Sequence, residues 1–235
     1  MINVRGREVS RIEGLSDAVF GFALTLLVVS LEVPDNFDGL KTILRGFLPF
    51  AVTFALVCWI WYEHYAFFRM FDVEDKITIT LNCALLFIVL FFVYPLKFVF
   101  SNVVPMMLGQ PHVFRSMSID DNRMLMWVYS AGFVAMFAIF ALLYWNMYRR
   151  RETMNLSERQ IFEAWAGMRT HLLSVMVGLA SIVLALTVPI QWLWTAGAIY
   201  SMQGPIHWRN GVLIERARSK VLGAAAGVVE TTPSH

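Results

Sequence analysis

Four polar side chains lie within stretches that are otherwise almost free of charge, and they are the residues in this sequence best suited to chemistry. Ser16 and Asp17 are adjacent, His64 lies in the second apolar stretch and Asn82 in the third. A carboxylate and an imidazole could pass a proton, whereas a hydroxyl and an amide could complete a hydrogen-bonded cluster. Ionisable groups are costly in an apolar environment, so each of them needs a partner or a task.

These groups share a depth along their helices. Each lies five or six residues from the basic residue that flanks its stretch: Arg11 before Asp17, Arg69 after His64 and Lys76 before Asn82. At 1.5 Å per helical residue, the depth is about 7 to 9 Å. Antiparallel neighbouring helices should therefore bring Ser16, Asp17, His64 and Asn82 together. We expect a buried polar cluster that clamps the helices, and a proton relay through Asp17 and His64 is the alternative.

Membrane-spanning helices must hold these polar residues in position. Of 235 residues, 58% are hydrophobic and only 15% are charged, which excludes an ordinary soluble domain. Stretches long enough to cross a bilayer as helices cover residues 12–33, 47–68, 77–98, 124–147, 171–189 and 190–206. The sequence predicts an all-α polytopic membrane protein in which residues 1–208 form a six-helix bundle and residues 209–235 form a basic segment with a disordered tail from Gly223. The sixth stretch is short, and Gly204-Pro205 should end it, so a tight hairpin or a re-entrant segment is the alternative to a sixth span.

A further helix start is predicted between the fourth and fifth stretches. Ser157 and Gln160 have the spacing of a capping box. Apolar residues then recur at helical intervals, at Ile161, Phe162, Trp165 and Met168. We interpret this segment as an interfacial helix on the inner leaflet, with a plain loop as the alternative.

Basic residues are distributed unevenly about the predicted spans. Nineteen Lys and Arg are present, and only five fall on one side: Lys41, Arg45, Lys97, Arg115 and Arg123. The other fourteen fall on the opposite side, which the positive-inside rule assigns to the cytoplasm. We therefore predict a plasma membrane protein with both termini in the cytoplasm.

Several chemical classes lack support in the sequence. Cys58 and Cys83 lie inside apolar runs without metal-ligand spacing, so neither a disulfide nor a metal site is expected. Asp17 and His64 have no nucleophile at their depth, and we expect neither an enzyme nor a cofactor. A secondary or proton-coupled transporter using these two residues is the alternative to a channel, although internal repeats and paired broken helices are missing.

The first predicted helix has two distinct faces. At 100° per residue, its apolar stripe consists of Phe22, Leu26 and Val29 with one hydroxyl at Thr25, and the pair at positions 16 and 17 points away from it. Periodicity alone favours a stripe that packs against another span or faces lipid.

The segment Arg11-Ile-Glu-Gly-Leu-Ser-Asp17 resembles the R-x-x-x-F-S-D signature of the lysosomal potassium channel family known as transmembrane protein 175, with Leu15 in place of Phe. Trp59 and His64 late in the second stretch and Asn82 early in the third are similar to that family as well. The resemblance extends over about residues 11–95.

This resemblance implies a homotetramer in which four first helices line a central pore. Phe22 would form the narrowest apolar ring, at a position where the family usually has Ile or Leu, with Leu26 and Val29 further outward and Thr25 as a hydroxyl layer. The implied function is a potassium-permeable cation channel, modestly selective for K⁺ over Na⁺, with K⁺ as the permeant ion. Its expected partners are further copies of the chain and the lipid bilayer, without nucleic acid. An apolar ring gates by dewetting and discriminates by the cost of removing hydration water.

Overall fold

The fold was obtained as a computed structural model, and it describes residues 10–30, 33–109, 116–189 and 192–230, with side chains as far as residue 219. All regular elements in these ranges are helical. The helices are α1 (Arg11–Val29), α2 (Phe37–Arg45), α3 (Phe47–Phe71), α4 (Lys76–Met107), α5 (Ile119–Arg149), α6 (Glu158–Thr187), α7 (Trp194–Ala198) and α8 (Gln203–Glu230), with a 3-10 helix over Ile199–Met202 before α8. The chain divides into two compact units, residues 1–122 and 123–235.

The first unit contains α1 to α4, and its helix starts follow local capping rules. The Ser10 hydroxyl accepts a hydrogen bond from the Glu13 backbone N–H at 3.2 Å, and the Glu13 carboxylate accepts one from the Ser10 N–H at 3.0 Å. This reciprocal pair satisfies two donors at the start of α1. Asp75 performs the same task for α4 by accepting from the N–H groups of Ile77 and Thr78. Both long helices therefore begin directly after a residue whose side chain caps them.

Large apolar side chains fill the space between α1, α3 and α4. Phe20 and Leu27 of α1, Phe67 of α3, and Leu85 and Val89 of α4 are almost fully buried. Burial of such side chains contributes roughly 1.5 to 3 kcal/mol each in a soluble protein, whereas in lipid the gain comes chiefly from close packing. The core of this unit therefore fixes the orientation of α1 against its neighbours.

The short helix α2 behaves differently because none of its residues is buried. Asn36 caps its start by accepting from the Gly39 N–H at 2.8 Å. Phe37, Leu40 and Leu44 form an exposed apolar face, and Lys41 pairs with Asp38 on another side. Such an amphipathic helix between two spans is typical of the membrane interface.

Five helices of the described residues are long and apolar enough to cross a membrane: α1, α3, α4, α5 and α6. This confirms the all-α membrane fold. The predicted sixth stretch is not one helix, because Trp194–Ala198, the 3-10 turn and the start of α8 divide it. Its first two residues, 190 and 191, lie outside the described residues, as do 31 and 32 near the predicted end of the first stretch.

Three boundaries predicted from the sequence are wrong. Gly204-Pro205 does not end a helix, because Pro205 lies in the first turn of α8, where its missing N–H breaks no intrahelical bond. Disorder from Gly223 is contradicted as far as Glu230, where α8 ends, and the alanines at 224–226 favour helix. The capping box at Ser157 is confirmed, but α6 continues unbroken to Thr187, so no separate interfacial helix exists.

In the second unit, α6 approaches α5 closely through small residues. A Cβ added at Gly178 would lie 2.6 Å from Val134 Cγ2, and one added at Gly167 would clash with the Tyr144 ring. Between these glycines, His171 stacks on Phe140 with ring centroids 5.0 Å apart. Small residues at helix contacts are typical of membrane bundles, where dispersion forces replace the hydrophobic effect.

Hydrogen bonds connect the divided segment before α8 to α5 and α6. Ser181 Oγ donates to the Ala196 carbonyl at 2.7 Å and lies 2.8 Å from Ser130 Oγ. The Tyr200 hydroxyl donates to Ser130 Oγ at 2.9 Å. Arg123 caps the end of α6 by donating to the carbonyls of Ala185 and Val188, both at 2.9 Å. These bonds satisfy hydroxyl and carbonyl groups at the breaks from within the protein.

Candidate functional site

The helix α1 buries one face and leaves the other uncovered. Its buried residues recur at intervals of four and three: Ile12, Ser16, Phe20, Ala23 and Leu27. This interval is that of one side of an α-helix, and the side packs on α3 and α4. The residues between these positions remain available to lipid or to another chain.

Ser16, Asn82 and His64 form a buried polar cluster that joins three helices. Asn82 Nδ2 donates to Ser16 Oγ at 3.0 Å, and Asn82 Oδ1 lies 2.8 Å from His64 Nε2. Because an amide oxygen only accepts, His64 Nε2 carries the proton. Ser16 passes the chain on by donating to the Ile12 carbonyl at 2.7 Å. The Ser16 hydroxyl, the Asn82 amide and the His64 imidazole therefore each have a hydrogen-bond partner.

Aromatic rings surround the imidazole of this cluster. Phe68 lies 4.6 Å from the His64 ring and Phe20 lies 5.7 Å from it, measured between ring centroids. Both rings are buried and leave no room for bulk water. Hydrogen bonds in such a setting are costly to break because an unsatisfied group gains nothing from solvent.

Asp17 lies outside this cluster, contrary to the expectation from depth. Its Oδ1 accepts a hydrogen bond from Trp61 Nε1 at 2.8 Å, and it is exposed in the single chain. Depth fixes a residue along the helix axis but not around it, and Asp17 is rotated by about 100° from Ser16. The Asp17 carboxylate bonds Trp61 and the His64 imidazole bonds Asn82, so the relay alternative lacks the direct hydrogen bond that it requires.

Two other motif residues occupy the expected elements. Arg11 is the first residue of α1 and is exposed, and Trp59 is on α3 two residues before Trp61. Trp61 was not predicted to belong to the site, although its position three residues before His64 places it on the same part of α3.

The four stripe residues of α1 are all exposed in the single chain. Phe22 is 66% exposed and Val29 is 70% exposed, with Leu26 and Thr25 between them. Thr25 Oγ1 donates to the Gly21 carbonyl at 2.8 Å, so the oxygen keeps acceptor capacity toward the open side. The stripe and the polar cluster therefore lie on different sides of α1, as the periodicity predicts.

A lysine reaches the carboxyl-terminal end of α1 from α4. Lys97 Nζ donates to the backbone carbonyl of Ser30 at 3.0 Å and also to its hydroxyl. Ser30 directly follows Val29 and caps the helix. The count of basic residues assigned Lys97 to the outer end of the third predicted stretch, and α4 extends past it to Met107.

Comparison with known proteins gives a consistent result. The family model described as endosomal/lysosomal potassium channel TMEM175 matches residues 11–92. A potassium channel of Marivirga tractuosa is 37% identical over 192 residues, which cover 79% of this chain and 78% of that protein. A potassium channel of Chamaesiphon minutus is 31% identical over 96 residues, which cover 37% of this chain and 47% of that protein.

Solved structures of similar proteins extend over most of the chain. A crystal structure of a variant of the potassium channel MtTMEM175, in complex with a nanobody–MBP fusion protein, matches with a TM-score of 0.78 and 34% identity, covering 92% of this chain and 96% of that one. A homolog, from Chamaesiphon minutus, of the lysosomal potassium-selective channel TMEM175 has a TM-score of 0.56 at 21% identity, covering 85% of this chain and 96% of that one. The second match supports the fold alone.

Proposed function

Because the chain belongs to the TMEM175 potassium channel family, we propose that it is a homotetrameric, potassium-permeable cation channel whose pore is lined by α1 of each subunit. The observation that carries this proposal is the exposed stripe of Phe22, Thr25, Leu26 and Val29. The opposite face of α1 is fixed by the buried cluster, so the stripe remains available to the same stripe of other copies. We further propose that the protein is located in the plasma membrane.

The stripe has the chemistry of a hydrophobic gate. Four Phe22 side chains around an axis would exclude water at the narrowest point, with Leu26 and Val29 continuing the apolar wall toward the end of α1. Neither acidic side chains nor a run of carbonyl ligands lines this wall, so an ion must give up hydration water there. That cost is smaller for K⁺ than for Na⁺, and modest selectivity for K⁺ follows.

Ion flux through the reconstituted protein tests the proposal. Purified protein in liposomes should carry K⁺ down its gradient without a coupled ion, more readily than Na⁺, and should have tetrameric mass in detergent. A secondary transporter would instead require coupling to a proton or Na⁺ gradient. Flux that depends on such a gradient, or an assembled tetramer that carries no K⁺, would overturn the channel proposal.

Thr25 offers a test of the selectivity that we attribute to the stripe. We expect Thr25→Val to lower the K⁺/Na⁺ permeability ratio with little change in tetramer yield, because valine keeps the size of threonine but removes an oxygen that can replace hydration water. Reversal potentials under bi-ionic conditions measure this ratio. Thr80→Val is the matched control, because Thr80 is exposed on α4 and its hydroxyl also bonds only its own helix. An unchanged permeability ratio in Thr25→Val would show that the Thr25 hydroxyl does not contribute to selectivity.

The predicted orientation can be tested by cysteine labelling. Leu108, beyond α4, and Thr153, between α5 and α6, are both exposed. In a chain lacking Cys58 and Cys83, an impermeant maleimide added to intact cells should label Leu108→Cys but not Thr153→Cys, since the basic residues near Thr153 should retain that loop in the cytoplasm. Permeabilised cells should label both. The reverse pattern in intact cells would place the termini outside.

A further inference from the structure

Lys97 is a charged group within the α4 span, and it contacts the helix that we propose lines the pore. Its ammonium donates to the carbonyl and the hydroxyl of Ser30, one residue beyond Val29. Ser30 Oγ in turn donates to the Leu27 carbonyl at 2.6 Å. Both of these acceptors are neutral, so neither of them compensates the charge of the ammonium group.

The position of this charge follows helix electrostatics. Unpaired carbonyls make the carboxyl-terminal end of a helix partly negative, and a cation there is stabilising. Without Lys97, four such helix ends around one axis would attract cations to this end of the pore. With it, the same end carries a net positive charge from each subunit.

We propose that Lys97 limits cation entry at the carboxyl-terminal end of the pore, through a ring of four ammonium groups that opposes the negative ends of the α1 helices. This inference rests on the proposed function. A positive ring lowers the local K⁺ concentration, and therefore the current carried by ions that enter from this end. Ions entering from the amino-terminal end of α1 are less affected, so the ring also favours rectification.

Single-channel recording of charge-neutral variants tests the ring. In about 0.1 M KCl, where the Debye length is about 10 Å, we expect Lys97→Met and Lys97→Gln to raise the current carried by ions entering from the carboxyl-terminal end by roughly two- to threefold. At about 1 M KCl the Debye length is about 3 Å, and the difference should disappear. Lys97→Arg should conduct like the wild type at both concentrations.

The salt dependence separates the charge from a merely structural cap. If Lys97 only holds the end of α1, then Lys97→Met and Lys97→Gln should differ from each other and the effect should persist in 1 M KCl. Should the neutral variants fail to assemble, Lys97→Cys in a chain lacking Cys58 and Cys83 provides the same test. Modification with a positively charged thiol reagent should then reduce the current, and a neutral reagent of similar size should not.

The outcomes distinguish this inference from the proposed function. Wild-type K⁺ currents with unchanged or salt-independent currents in the neutral variants would overturn the role of Lys97 and leave the channel intact. Wild-type tetramers without K⁺ current would overturn the channel proposal, and the ring of ammonium groups with it.

Discussion

Phe22→Ala should increase K⁺ flux severalfold and bring the K⁺/Na⁺ permeability ratio toward unity. Four phenyl rings removed from the narrowest point leave a wider constriction that water can enter, and ions then cross without losing as much of their hydration. Liposome flux and bi-ionic reversal potentials measure the two effects. The tetramer should still assemble, because Phe22 is 66% exposed and leaves no cavity within its own subunit.

Phe20→Ala is the matched control for this substitution. Phe20 is the same residue type on the same helix, but it is 2% exposed and contacts the ring of His64. Its loss should cost about 3 to 5 kcal/mol through a cavity and reduce the yield of assembled protein without raising the flux of what remains. Unchanged flux in an assembled Phe22→Ala tetramer would mean that the stripe faces lipid or another helix, and the proposed pore would be lost.

Asn82→Ala should strongly reduce the stability and the yield of the assembled protein. The Asn82 amide joins Ser16 of α1 to His64 of α3, and all three residues are buried. Alanine leaves the buried His64 Nε2–H without its acceptor, at about 1 to 3 kcal/mol, whereas the Ser16 hydroxyl still donates to the Ile12 carbonyl. The thermal unfolding temperature measures the loss of stability, and size-exclusion chromatography measures the yield of assembled protein.

Thr80→Ala is a suitable control for the asparagine substitution. Thr80 is two residues away on α4, is exposed, and bonds the carbonyl of Lys76 in its own helix. Its replacement should leave the unfolding temperature nearly unchanged. Equal behaviour of the Asn82 and Thr80 variants would show that the cluster contributes little to assembly.

The polar cluster was predictable from sequence because helical rise is regular. A count of residues from the flanking cations placed Ser16, His64 and Asn82 at one level, and the structure joins them there. The same count included Asp17, which was wrong, because a count along the axis carries no information about which neighbour a side chain faces. Trp61 was missed for a related reason, since its interval of three residues from His64 places it on the same part of α3 but does not show that its indole N–H bonds Asp17.

The ends of helices were harder to predict than the depths of residues within them. An apolar window detects the part of a helix that lies in hydrocarbon, so it ended the third span at residue 98 although α4 continues to Met107. Lys97 was therefore assigned to the last turn of a span rather than to the interior of a longer helix, and its contact with Ser30 was not predicted. Gly204-Pro205 misled the prediction in the opposite direction, because a proline signals a break only when it lies beyond the first turn of a helix.

The thickness of the bilayer should affect α1 before the longer α4, because the two spanning helices differ in length. With 19 residues, α1 is about 28 Å long, whereas the 32 residues of α4 extend about 48 Å. A hydrocarbon core is about 30 Å thick, so α4 can absorb a thicker membrane by tilting less, and α1 has no length in reserve. A bilayer of lipids with longer acyl chains must therefore become thinner around α1 or pull the ends of α1 into the hydrocarbon core. The proposed pore helix is thus the element of this fold most exposed to hydrophobic mismatch.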